Sequence, residues 1–126
     1  MNMTNPLARA RGHGSAKSGV HHWIAQRATA VFLVFLVGWM GYAMFALAGA
    51  DYAAAQDFIA RPLNAALLIL LLIVLFYHAM LGLQVVIEDY VHHPAAELTL
   101  HFLTRAGAWL GMALGVVNVL KIALGA

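Results

Sequence analysis

The 126-residue chain contains no cysteine. That excludes a disulfide framework, a thiolate zinc site and any iron–sulfur cluster held by this chain alone. Charge is also scarce: Asp, Glu, Lys and Arg make up 10% of residues, against about 25% in an ordinary soluble domain. No glycine-rich dinucleotide turn is present, and no stretch reads as a soluble catalytic domain. Internal repeats are missing too. Apolar side chains fill the sequence instead, at 63% hydrophobic residues. Such a chain is built for lipid.

The apolar residues fall into three runs. The first, Ala28 to Ala50, is uncharged and long enough, at about 1.5 Å per residue, to cross roughly 30 Å of hydrocarbon. It exceeds the apolar region of a cleaved signal peptide, about 7–15 residues, and therefore reads as a permanent helix. The second, Pro62 to Ile87, carries no acid or base except the titratable His78, and Pro62 suits a first helical turn. The third lies between Arg105 and Lys121 and reaches full length if those long side chains snorkel to the headgroups. These patterns predict an all-α membrane protein with three transmembrane helices at about 24–50, 62–88 and 98–124. They form one domain, 19–126, behind a flexible leader at 1–18.

The charges orient that domain. Arg9, Arg11, Lys17 and Arg27 precede the first run, whereas the 51–61 loop has Asp51, Asp57 and one Arg61. A basic end before a span is an orientation signal, so no nucleic-acid site is read here. The N-terminus is expected in the cytoplasm and the C-terminus in the periplasm of a bacterial cell inner membrane. The loop around 88–97 then returns to the cytoplasmic face.

One polar stretch stands out, "FYHAMLGLQVVIEDYVHH", residues 76–93. Each helical residue turns about 100°, so Gly82, one turn after His78, and Asp89, three turns after it, share its face. A missing side chain at Gly82 leaves a hollow beside the imidazole, and neutral imidazole is a good axial ligand for haem iron. Plainer roles stand beside these. An intramembrane histidine can simply hydrogen-bond a neighbouring helix, a glycine can simply let helices close up, and Asp89 and Tyr90 can be an interfacial helix end. Depth sharpens the choice. The 11 residues from His78 to Asp89 put the imidazole about 16 Å below the surface, whereas His101, His21 and His22 all lie near it. A bis-histidine haem would then need its second ligand from another polypeptide.

"HAMLGLQVVIEDY" (78–90) and "SGVHHWIAQRATA" (18–30) resemble the second- and first-helix signatures of the hydrophobic membrane anchor subunit of succinate dehydrogenase, respiratory complex II. The likeness covers roughly residues 18 to 124. It implies a b-type haem ligated by His78 and shared with a second, companion membrane anchor within a joint haem-binding helix bundle. It also implies a ubiquinone site using Tyr90 and the adjacent Asp89, with His21 and Arg27 near the haem propionates. Flavoprotein and iron–sulfur subunits would be further partners. The chain would then link the tricarboxylic acid cycle to the respiratory chain as part of an enzyme, with no catalytic residues of its own. His22 stands where relatives can carry an Asp, which puts any proton role of that acid in doubt.

The chemistry is compatible with those roles. A phenol is a neutral donor suited to a quinone carbonyl, and an arginine can pair bidentately with a propionate. Arg27 also reads as a snorkelling topology charge. The adjacent pairs His21–His22 and His92–His93 point about 100° apart and do not chelate as pairs, so both read as interfacial. Pro94 is expected to end the second helix. Gly38 and Gly41 are expected to let another helix approach. The methionines read as gap fillers and none as an iron ligand. The sequence leaves two other functions open: a quinol–fumarate reductase anchor, and a cofactor-free small membrane protein or transporter using His78 as a relay or structural bond.

Overall fold

A computed structural model describes residues 17–125. Among them are four helices: α1 (Lys17–Ala46), α2 (Tyr52–Ala60), α3 (Pro62–Tyr90) and α4 (Pro94–Ala123). Three of these, α1, α3 and α4, are long and apolar enough to cross a membrane. The expected all-α architecture with three candidate spans is therefore present. Most of the expected leader, residues 1–16, lies outside the described residues, and Lys17 and Ser18 already belong to α1.

Helix ends follow local chemistry. After α1 the chain turns at Gly49, whose φ of 84° is costly for any residue with a β-carbon. Ala48 N–H donates to Phe45 O at 3.2 Å, and Ala50 N–H donates to Leu47 O at 2.9 Å. The first span consequently stops at Ala46, short of the expected residue 50. Asp51 then caps α2, its carboxylate accepting from Ala54 N–H at 2.9 Å. The 51–61 segment is thus a capped helix, where a loop was expected.

Pro62 occupies the first turn of α3 as expected, where its missing N–H leaves nothing unpaired. Pro94 plays the same part in α4. The expectation that Pro94 ends the second helix is corrected: α3 has already finished at Tyr90, and Pro94 starts the third span, four residues earlier than residue 98.

α3 is the middle of the assembly. It packs against α1 on one side and α4 on the other, while α1 and α4 make no close backbone approach among the described residues. Buried side chains reflect this: Ala65, Leu71, Leu81 and Ile87 lie on α3, Leu36 and Ala43 on α1, and none on α4. α2 braces one end. Phe58 stacks on Trp39 of α1, ring centroids 6.4 Å apart, and Asn64 Nδ2 donates to Phe58 O at 2.8 Å.

The tightest seam is α3–α4. A β-carbon on Gly111 would lie 2.6 Å from the Phe76 ring, and one on Gly115 would lie 2.9 Å from Leu72. The two glycines, one turn apart, let α4 accept side chains from α3. Gly38 and Gly41, expected to serve such an approach, have nothing within 4 Å among the described residues. Stray polar groups in the spans fold back on their own backbone, as Thr99 does to Ala95 O at 2.7 Å and Asn118 to Leu114 O at 2.8 Å. Their cost in lipid is reduced accordingly.

Candidate functional site

The notable feature of the α1–α3 seam is a hollow of about 590 Å³ lined by Gly19, His22, Trp23, Gln26, Arg27 and Ala30 of α1 and by His78 and Val85 of α3. Its α1 lining repeats at three- and four-residue steps, the signature of one helix face. His78 and Val85 are two turns apart on α3, and Asp89 continues the same stripe one turn further. The hollow is therefore assembled by two helical stripes meeting.

His78 is half-buried and bonded to α1. Its Nδ1 lies 2.8 Å from Thr29 Oγ1, and its Nε2 lies 3.5 Å from Gln26 Nε2. The plainer alternative, a hydrogen bond to a neighbouring helix, is present; it engages Nδ1 closely while Nε2 has only the longer contact. Gly82 is not required for this packing, because a β-carbon there would meet Gln26 Nε2 at 3.6 Å, an ordinary contact. Close helix approach alone leaves that glycine unexplained.

Two polar atoms at the hollow have no partner: His22 Nε2 and Gln26 Oε1 are buried and unbonded. Each unpaired group costs about 1–3 kcal/mol, so a complementary ligand or neighbouring chain would recover that energy. Beside them Arg27 lays its guanidinium 5.8 Å from the centroid of the Trp23 ring, which steadies an otherwise exposed cation. Apart from Arg27, the lining carries no permanent charge. An amphiphile with a large apolar body and an anionic edge matches this lining.

The structure brings together His78 and Arg27, with Gly82 one turn along α3 from the imidazole. His21 is exposed and does not line the hollow; its neighbour His22 does, turned about 100° from it. Asp89 and Tyr90 sit exposed in the last turn of α3, outside the lining. His101 pairs loosely with Glu97 at 4.0 Å in the first turns of α4, away from this seam. Gln26, Thr29 and His22 went unrecognised in the sequence as site residues. Their signal was the three-and-four spacing of Gly19, His22, Gln26 and Thr29 along the first half of α1.

Comparison with known proteins decides the family. A model of the succinate dehydrogenase/fumarate reductase transmembrane subunit matches residues 1–120. The chain belongs to that family. Its relatives include the succinate dehydrogenase hydrophobic membrane anchor subunit of Rickettsia bellii, 45% identical over 68% of each chain. The proteins of the same description from Rickettsia conorii and Rickettsia typhi are 36% identical over 75% and 35% identical over 79% of each chain. Membership accounts for the three apolar helices long enough to cross a membrane, because the family's chains are transmembrane subunits of a larger enzyme. The resemblance drawn from residues 18–30 and 78–90 thus corresponds to a match over nearly the whole chain.

Proposed function

We propose that this chain is the hydrophobic anchor of a succinate:quinone oxidoreductase, sharing one b-type haem with a companion anchor and helping to form a ubiquinone-reduction site. The observation that carries the reading is the His78 hollow: an imidazole with one nitrogen lightly engaged, a glycine one turn away that helix packing does not need, and unpaired polar atoms beside a cation. When bound, haem would supply a one-electron store at this depth. His78 Nε2 would hold the iron, Gly82 would leave room for the macrocycle edge, and Arg27 would neutralise a propionate. His22 lines the hollow and His21 does not, so His22 is the better placed of the two histidines for the second anionic contact.

Among the described residues no three His, Asp or Glu side chains gather where they could hold a metal ion. A second histidine for the iron would then have to come from the companion anchor. Flavoprotein and iron–sulfur subunits would dock at the cytoplasmic face, where the N-terminus and the 91–93 connection lie if the basic residues orient the chain. Tyr90 and Asp89 end α3 at that same face. There the phenol would donate to a quinone carbonyl, with Asp89 beside it as a polar path for protons. Electrons from succinate would have a short last step, because the quinone and the soluble subunits share one side of the membrane.

The family includes fumarate reductase chains, but the named relatives are succinate dehydrogenase anchors, which favours the succinate-oxidising direction. Family membership also speaks against a free-standing transporter. The test is the reduced-minus-oxidised spectrum of the purified complex. A b-type spectrum that disappears in His78→Ala is expected; a colourless wild-type complex, or an unchanged spectrum in the variant, overturns the haem reading.

A further inference from the structure

Thr29 Oγ1 sits among three groups: Ala25 O at 2.8 Å, Gln26 O at 3.1 Å and His78 Nδ1 at 2.8 Å. A hydroxyl has one proton to give and two lone pairs to receive with. Backbone carbonyls only accept. If the hydroxyl proton were given to His78, Oγ1 would face Ala25 O at 2.8 Å lone pair against lone pair. In the satisfied arrangement the Thr29 hydroxyl donates to Ala25 O and accepts a hydrogen bond from Nδ1–H of His78. The other ring nitrogen is compatible with this: the Gln26 amide nitrogen lies 3.5 Å from Nε2, where a lone pair would receive its N–H.

We infer that Thr29 is a positioning residue that holds His78 in its Nδ1–H tautomer, turning the Nε2 lone pair toward the hollow as the metal-ligating atom. This rests on the haem reading and adds a residue of α1 to it. A metal-bound histidine is oriented, and made more basic, by the acceptor of its other N–H. Here that acceptor is a hydroxyl already polarised by giving its own proton to a carbonyl, and such chains strengthen one another. Thr29 is also stiff at χ1, and its back-bond to Ala25 keeps it in place. The ligand is thus supplied by α3 while its electron donation is set by α1.

Gln26 Nε2 lies near both His78 Nε2 and the space beside Gly82. A side chain held by one long contact, with its carbonyl oxygen unpaired, is cheap to displace. Thr29, by contrast, has two short bonds and stays. The two α1 residues therefore divide the imidazole: one secures Nδ1, the other yields Nε2.

The test uses the complete complex with its partner subunits, and compares wild type, Thr29→Val, Thr29→Ala, Thr29→Ser and His78→Ala. Haem-to-protein ratio, midpoint potential and the low-spin ferric resonance of the haem are measured. Thr29→Val keeps the branched shape but not the acceptor. It is expected to weaken haem retention about 10–100-fold. Its midpoint potential should rise, because a less basic imidazole stabilises ferric iron less. Thr29→Ala covers the case in which valine prevents assembly, and Thr29→Ser should restore wild-type values. Wild-type haem content, potential and resonance in the valine or alanine variant overturn the inference, as does a serine variant that behaves like alanine. The haem reading fails separately, taking the inference with it, if the wild-type complex lacks b-type haem or His78→Ala retains it.

Discussion

Gln26 of α1 faces Gly82 of α3 across the seam, with 3.6 Å between its amide nitrogen and the place a β-carbon would occupy on the glycine. One extra carbon therefore fits between these helices, and larger additions must displace the Gln26 side chain, which lines the hollow. Gly82→Ala is expected to assemble normally with a slightly altered haem spectrum. Gly82→Leu should lose most of the haem while the anchor still reaches the membrane. Haem content and membrane-bound succinate dehydrogenase activity with a soluble acceptor, measured together, decide it; full haem content in the leucine variant would contradict the clearance role.

Tyr90 is 77% exposed at the end of α3, so removing its hydroxyl takes nothing from the fold. Tyr90→Phe should slow quinone reduction roughly tenfold, the equivalent of about 1.4 kcal/mol, which is within the range of one hydrogen bond. Succinate oxidation by a soluble artificial acceptor should continue at the wild-type rate. Equal loss of both activities would count against a quinone contact.

Phe76 fills the space that Gly111 leaves open, and a β-carbon there would come within 2.6 Å of the ring. Gly111→Ala must push that ring aside and should destabilise the chain by about 1–3 kcal/mol. Thermal unfolding of the detergent-solubilised complex measures it. Combining the change with Phe76→Leu should recover part of the loss, since the smaller side chain vacates the contested volume; an additive double variant would mean the clash is not the cause.

Asp51 starts α2 through its bond to Ala54 N–H. Asp51→Ala should weaken that helix by about 0.5–2 kcal/mol, and Asp51→Asn should restore most of it. The readout is amide hydrogen exchange across residues 52–60, where protection should fall locally while α3 keeps its own. Unchanged exchange in the alanine variant would rule out the cap as the source of α2 stability.

The three long helices were legible because lipid imposes a crude requirement: enough consecutive apolar residues to cross, with backbone groups paired inside each segment. Family-like stretches at 18–30 and 78–90 were legible as patterns of residue type. α2 was missed because nine residues with mixed polarity make no span, although Asp51 already held its capping side chain. Pro94 was misjudged for a different reason. Proline is compatible with the first turn of a helix as well as with the stretch after one, and only the position of Tyr90 as the last residue of α3 tells which applies.

Composition and periodicity by themselves determined the three apolar helices long enough to cross a membrane among the described residues, and that His78, Gly82 and Asp89 share one stripe. Which nitrogen of His78 is tied, which of two adjacent histidines borders the hollow, and which glycines admit a neighbour were decided by tertiary structure alone. The physical reason is rotation. A helix specifies the angles among its own side chains, but the angle between two helices about their axes is set by packing. His78 therefore meets Thr29, and Gly111 meets Phe76, only once α3 has been seated between α1 and α4.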